Sequence, residues 1–303
     1  MDVLLSLAGV VLIALTLRDI FDTLFHPLGR GYVGSWVVGG VSRLGHRLAG
    51  RLPSAPVLIG PLGYISVVVT WTAMLAIGWA LIFLPHLPDG FLIGEGLDPA
   101  AHDDLADALY VSLVNLTSLG YGDISPEGPL LRILGPVETL FGLGLLTASI
   151  SWLISIYGVI SRRDSFAHEV ELSRQAEELL EENLADADPE LLERMLASFT
   201  VQMVVTRRDL IHFPITHHFR TEDEDRALSR LLPFLTRLVE EASEARRPQA
   251  LKVRAQMLGT AIDDFAETLR TRLRMPGETT EETLEHYDAH HSRSASRRRL
   301  DSP

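Results

Sequence analysis

The chain has 303 residues, 47% of them hydrophobic and 22% charged, with a formal net charge of −13 and no cysteine. Charge is unevenly spread: residues 1–161 carry 18 charged residues and residues 162–303 carry 49. The first half is too poor in charge to form the surface of a water-soluble domain. The lack of cysteine excludes disulfides, thiolate nucleophiles and cysteine-ligated metal.

The elements follow in chain order. Residues 3–17 are apolar and continue helically through Ile20, Phe21 and Leu24, past Arg18, Asp19 and Asp22. The run opens Met1-Asp2 and lacks the basic start of a secretion signal. Residues 1–25 are therefore expected to form an N-terminal transmembrane helix, about 3–25, with a polar inner end. Residues 26–56 form a linker, where Trp36, Val37, Val38 and Leu44 alternate with Arg43 and Arg47 as in a helix lying at a membrane interface. The 37 residues between Arg51 and Asp89 hold no charge, and 62–84 is their apolar centre. The 29 residues between Arg132 and Arg162 are interrupted only by Glu138. Each run supplies the ~20 apolar residues a spanning helix needs, so spans are expected at about 62–84 and 133–160.

The flanks orient these spans. Residues 26–61 contain Arg30, Arg43, Arg47 and Arg51 and no acid, which places them in the cytoplasm. Residues 85–107 contain Asp89, Glu95, Asp98, Asp103, Asp104 and Asp107 and no base, which places them outside. Arg162 and Arg163 close the last span on the cytoplasmic side. The expected localisation is the cell (plasma) membrane, multi-pass, with the N-terminus outside and the C-terminus cytoplasmic.

Between the second and third spans lies Thr117-Ser118-Leu119-Gly120-Tyr121-Gly122-Asp123, after a short amphipathic run at 104–116. Dehydrating a K⁺ ion requires rings of oxygen ligands, and backbone carbonyls supply them when successive residues turn their C=O groups to one axis. An extended chain of L-residues alternates its carbonyls. Gly120 and Gly122 can adopt positive φ and restore one direction, while the Tyr121 ring packs outward against the short helix. Ser118 adds a hydroxyl at the inner end.

This segment resembles the selectivity filter of potassium channels, usually Thr-Thr-Val-Gly-Tyr-Gly-Asp. The resemblance runs from about 57 to 161 and includes Pro126, Arg132, Glu138 and Gly142, which fall where two-span pore modules of bacterial channels often carry Pro, Arg, Glu and a hinge Gly. It implies a pore helix at 104–116 and a filter at 117–123. K⁺ would be held at Ser118, Leu119, Gly120 and Tyr121, within an ion-binding stretch of Thr117, Ser118, Leu119, Gly120, Tyr121 and Gly122, with Asp123 at the filter mouth. Glu138 would lie behind the filter, facing protein through a structural hydrogen bond or facing water. Gly142 is either a gating hinge or a site of close helix packing. Val114 stands where some bacterial channels have a bracing Glu. Tyr110 stands where the family often has a Trp bonded to the Asp of the filter mouth, a departure that bears on inactivation. A carbonyl ring needs four strands and the chain has one filter, so a homotetramer is implied. No span carries an arginine ladder, so no voltage sensor is expected.

The second half holds only two glycines, Gly259 and Gly277, which excludes a Gly-x-Gly-x-x-Gly nucleotide fold. Residues 162–277 read as a cytoplasmic helical domain. Its helices are expected at about 165–184, from Asp188-Pro189 to about 205, from a capping box at Thr221–Glu224, and at 248–274, stopping at Met275-Pro276-Gly277. His212, His217 and His218 lie in a loop and suit either a metal or proton sensor or, the preferred reading, a packed loop. Residues 278–303, with little to bury, are expected to be a disordered tail whose Arg297–Arg299 could touch anionic lipid.

The expected fold is an all-α membrane protein with three transmembrane helices, a re-entrant pore helix and filter loop, and a helical cytoplasmic domain. The expected function is passive K⁺ conduction in the lipid bilayer, with no enzyme chemistry, no cofactor beyond permeant K⁺ and no nucleic acid. A weakly selective cation channel is one rival. A non-conducting membrane sensor or scaffold is another, and the intact Gly-Tyr-Gly-Asp argues against it.

Overall fold

The computed structural model describes residues 2–25, 31–48, 55–94, 98, 102–219 and 227–289. The architecture is the expected all-α membrane protein. Eight principal helices are α1 (Asp2–Leu24), α2 (Tyr32–Leu48), α3 (Ala55–Phe83), α4 (Leu105–Leu116), α5 (Leu131–Leu180), α6 (Pro189–His212), α7 (Leu228–Ala242) and α8 (Gln249–Leu273). A further helix, α9, covers 280–289. Among the described residues three stretches are long and apolar enough to cross a membrane: Asp2–Leu24, Leu58–His86 and Leu131–Leu180. They coincide with the three expected spans. The Arg30 and Arg51 flanks, Glu95, the Thr221–Glu224 capping box and Arg297–Arg299 lie outside the described residues.

Packing divides the chain into two compact units, Met1–Gly39 with Gly63–Ile154, and Gly40–Leu62 with Ser155–Pro303. In the first unit α1 crosses α3 at glycines. A Cβ on Gly9 would collide with the Gly78 carbonyl, and one on Gly78 would lie 2.7 Å from Ile13 Cγ1. Small residues allow such close approach between apolar helices. The polar inner end of α1 is not left to water. Asp19 is buried, and its carboxylate accepts the Val33 N–H and the Trp71 Nε1–H, each at 2.9 Å. Trp71 also stacks near Trp152, with centroids 6.0 Å apart, and the Tyr64 hydroxyl donates to the Ser149 carbonyl at 2.7 Å. The N-terminal span is thus packed into the same body as the helices around the loop.

One element departs from the all-α expectation. Strands β1 (Phe91–Ile93) and β2 (Ile124–Pro126) pair antiparallel, with Phe91 opposite Pro126 and Ile93 opposite Ile124. Three residues each are too short to read as strands from sequence.

The second unit is built on a core of Phe166, Leu196, Phe199, Leu235, Leu258 and Phe265, all 2% exposed or less. Here the structure corrects four boundaries. The expected break near 162 and fresh helix at 165 do not occur, because α5 runs unbroken for 50 residues, about 75 Å of helix. α6, capped by Asp188 accepting the Glu190 and Leu191 N–H groups, continues past 205 to His212. α7 begins at Leu228. Residues 280–289 are helical rather than disordered, since Leu284 and Tyr287 find room in the core; residues 290–303 lie outside the described residues. α8 stops as expected, with Arg274 in the left-handed region at φ 54.

Candidate functional site

Segment 117–123, the expected filter, is fixed from both sides. On its N-terminal side, α4 is started by Asp104, whose Oδ1 accepts the N–H groups of Ala106 (2.8 Å) and Asp107 (3.0 Å). These bonds, that of Asp107 first, hold the Asp104 carboxyl below its usual range. The helix ends at Leu116 and hands the chain over through Ser118 N–H to Asn115 O (3.0 Å) and Leu119 N–H to Val114 O (2.9 Å).

From there the backbone alternates. Ser118, Gly120 and Gly122 have φ of 59°, 60° and 78°. Positive φ at every second residue is the condition under which an extended chain stops alternating its carbonyls. A Cβ at Gly120 or Gly122 would meet nothing within 4 Å. Conformation, not crowding, therefore calls for glycine at both positions. Ser118 shares the conformation with a Cβ attached, which costs about 1–2 kcal/mol. Serine carries no positive-φ signal, so this conformation was not legible in the sequence.

On the C-terminal side, Asp123 is held at three atoms. Its carbonyl accepts the Gly94 N–H at 2.7 Å, its Oδ1 the Ile124 N–H at 3.0 Å, and its Oδ2 the Tyr110 hydroxyl at 2.5 Å. The β1–β2 ladder continues directly from this clamp. Tyr110 thus keeps the hydrogen bond to the filter mouth that its departure from Trp put in question. The bond shifts both partners. The Tyr110 bond is the main reason that the Asp123 carboxyl sits below its ordinary range, and the same bond pushes the Tyr110 phenol up to about 12. Ser125 Oγ donates to the Gly122 carbonyl at 3.3 Å.

Glu138 is fully buried on α5 and faces α4, where it accepts the Ser112 hydroxyl (2.5 Å) and the Asn115 side-chain amide (3.2 Å). Thr139 Oγ1 donates to the Asn115 carbonyl at 2.9 Å. One turn on, a Cβ at Gly142 would overlap the Leu116 carbonyl oxygen. Glu138 and Gly142 therefore both back the C-terminal end of α4. Sequence reasoning passed over Ser112 and Asn115, whose signal was two polar residues three apart in an apolar helix.

The Tyr121 ring does not pack on α4 of its own chain. It is 68% exposed, and Leu119 is 54% exposed. The positive φ on either side of Tyr121 turns it away from its own helix. Val114 is buried. In the second unit His217 is buried and stacks on Tyr287, with centroids 5.9 Å apart. Among the described residues no group of three or more His, Cys, Asp or Glu is placed to hold a metal.

Residues 69–158 match the family described as ion channel. The chain is 23% identical over 278 residues, 90% of its length and 80% of the relative's, to the uncharacterized membrane protein YdjJ of Bacillus subtilis (strain 168). No solved structure matches it.

Proposed function

We propose that this membrane ion channel conducts K⁺ selectively and passively as a homotetramer, through carbonyls of Ser118, Leu119, Gly120 and Tyr121. The observation that carries the reading is the alternation of positive φ at 118, 120 and 122, anchored at one end by α4 and at the other by the Asp123 clamp. Four such strands around an axis would offer successive rings of oxygens spaced for a dehydrated ion.

The exposed Leu119 and Tyr121 side chains favour assembly, because a neighbouring copy would cover them. The acids on the 85–107 side would enrich cations at the mouth. The Arg flanks support an external N-terminus and a cytoplasmic C-terminus. Gly142 would serve conduction by letting α4 approach α5, with any hinge motion secondary. No covalent step is involved.

The test is K⁺ flux into liposomes holding the purified chain. A K⁺ gradient should drive flux that Gly120→Ala and Gly122→Ala abolish without loss of assembly. Equal flux in parent and glycine variants would refute the filter.

A further inference from the structure

Within the second unit one short segment, 213–219, touches parts of the chain that are far apart in sequence. Its Phe219 ring is buried and lies over Gly60 of α3, where a Cβ would come within 2.6 Å of the ring carbons. The same ring meets Tyr157 of α5 edge-on at 6.4 Å. Its backbone holds Arg163 of α5. Nη1 donates to the Thr216 carbonyl at 3.1 Å and Nη2 to the Phe219 carbonyl at 3.0 Å, with the guanidinium side chain only 14% exposed. The next residue back, Arg162, is paired at 2.7 Å with Asp209, near the end of α6 that leads into the segment. On its other side His217 stacks on Tyr287 of α9, which in turn meets Phe265 of α8 edge-on at 5.8 Å. A cavity of about 20 Å³, room for one water, lies between Arg163, Asp209, His217 and Tyr287.

We infer that segment 213–219 is a latch that lets the C-terminal helices set the position of the α3 and α5 ends they share a unit with, and so bias the open state of the pore. The inference rests on the conduction proposed above for its electrical readout. Its physical logic is that a planar guanidinium bridging two carbonyls, and a ring seated on a bare glycine, each admit one geometry. Any change in how α9 packs on His217 must move residue 217. Thr216 and Phe219 sit one and two residues away, so both attachments move with it. Because α3 and α5 are the helices that flank the filter loop in sequence, displacing their ends changes the gate while leaving the filter alone. The segment is therefore the point at which a ligand or partner of the C-terminal helices would act on those ends.

The experiment uses the full chain with Tyr287→Leu, which removes the stack while every residue of α3 and α5 stays unchanged, and Gly60→Ala, which unseats the ring. In planar bilayers each should change open probability about fivefold or more, with single-channel conductance and K⁺/Na⁺ reversal potential unchanged. The double variant should be non-additive. Open probabilities equal to the parent's, or additive effects, would overturn the latch. A second readout needs no current: hydrogen exchange of amides 58–64 should quicken in Tyr287→Leu. Unchanged exchange there would overturn the latch even if the channel conducts. Quickened exchange in Tyr287→Leu, with a parent that passes no K⁺, would spare the latch and sink the conduction reading. Should Tyr287→Leu fail to fold, Arg163→Lys, which keeps the charge but cannot bridge both carbonyls, carries the same expectations.

Discussion

The Tyr110 hydroxyl donates to Asp123 Oδ2 at 2.5 Å, joining the middle of α4 to the far end of the 117–123 loop across 13 residues. The bond ties the two ends of the loop to each other, so in the proposed channel it sets how readily the filter slackens.

Tyr110→Phe removes the donor and should speed filter inactivation several-fold, whereas Tyr110→Trp should retain slow inactivation through its indole N–H. The bond also has pH edges. Asp123 has its folded pKa lowered, so its contribution is present above the ordinary carboxyl value of ~4 and is lost as pH falls below it. Tyr110 is raised to about 12, so its contribution is present below ~10 and is lost as pH rises from there toward about 12. Inactivation recorded in bilayers should be flat between those edges in the parent. A Tyr110→Phe channel as slow as the parent would show that the bond carries no load.

Gly142 and Gly144 separate two explanations. If mid-span glycine serves to soften α5, alanine at either position should act alike, each stiffening the helix by about 1 kcal/mol. The structure places the Leu116 carbonyl where a Gly142 Cβ would sit, but nothing within 4 Å of one at Gly144. Gly142→Ala should therefore abolish or strongly reduce flux by displacing the end of the pore helix, and Gly144→Ala should conduct. Liposome flux of the two variants decides it.

Much of this was legible in the sequence. Charge-free runs gave the spans, and Gly-Tyr-Gly-Asp after a short helix gave the loop, because both follow from local chemistry. What the sequence withheld depends on contacts between distant residues. Asp19 read as the wet end of a short span until Trp71 and Val33 supplied its donors. Ser112 and Asn115 had no meaning until Glu138 faced them. The three-residue strands exist only because β2 directly follows the Asp123 clamp. Residues 280–289 lacked apolar density, yet Leu284 and Tyr287 reach the core, and Thr280, Thr283 and Asp288 bond to Asp263, Arg270 and Ser229.

Asp19 gives a stability prediction. Asp19→Leu would leave the Val33 N–H and the Trp71 indole N–H unpaired in an apolar setting, at about 1–3 kcal/mol each. The assembled protein should melt several degrees lower in detergent, and α1 should become more accessible to protease. Trp71→Phe should cost less, since the carboxylate keeps the Val33 N–H. A melting curve for Asp19→Leu that overlays the parent's would refute an anchoring role.

Ser118 predicts a change in block rather than in conduction. If its hydroxyls form the innermost ring, Ba²⁺, close to K⁺ in size but doubly charged, should lodge there from the C-terminal side. Ser118→Ala would remove those oxygens and keep every carbonyl above them, so K⁺ should still pass with much briefer Ba²⁺ block. Single-channel block times compare the two; equal times would place the ring elsewhere.

The central claim is that the loop at 118–122 is a K⁺-selective path. The most direct measurement is the reversal potential of the purified parent chain in a planar bilayer with K⁺ on one side and Na⁺ on the other. A reversal potential far from zero and close to the K⁺ equilibrium value, lost in Gly120→Ala, is the predicted result. A reversal near zero, or currents that survive unchanged in Gly120→Ala, would contradict it.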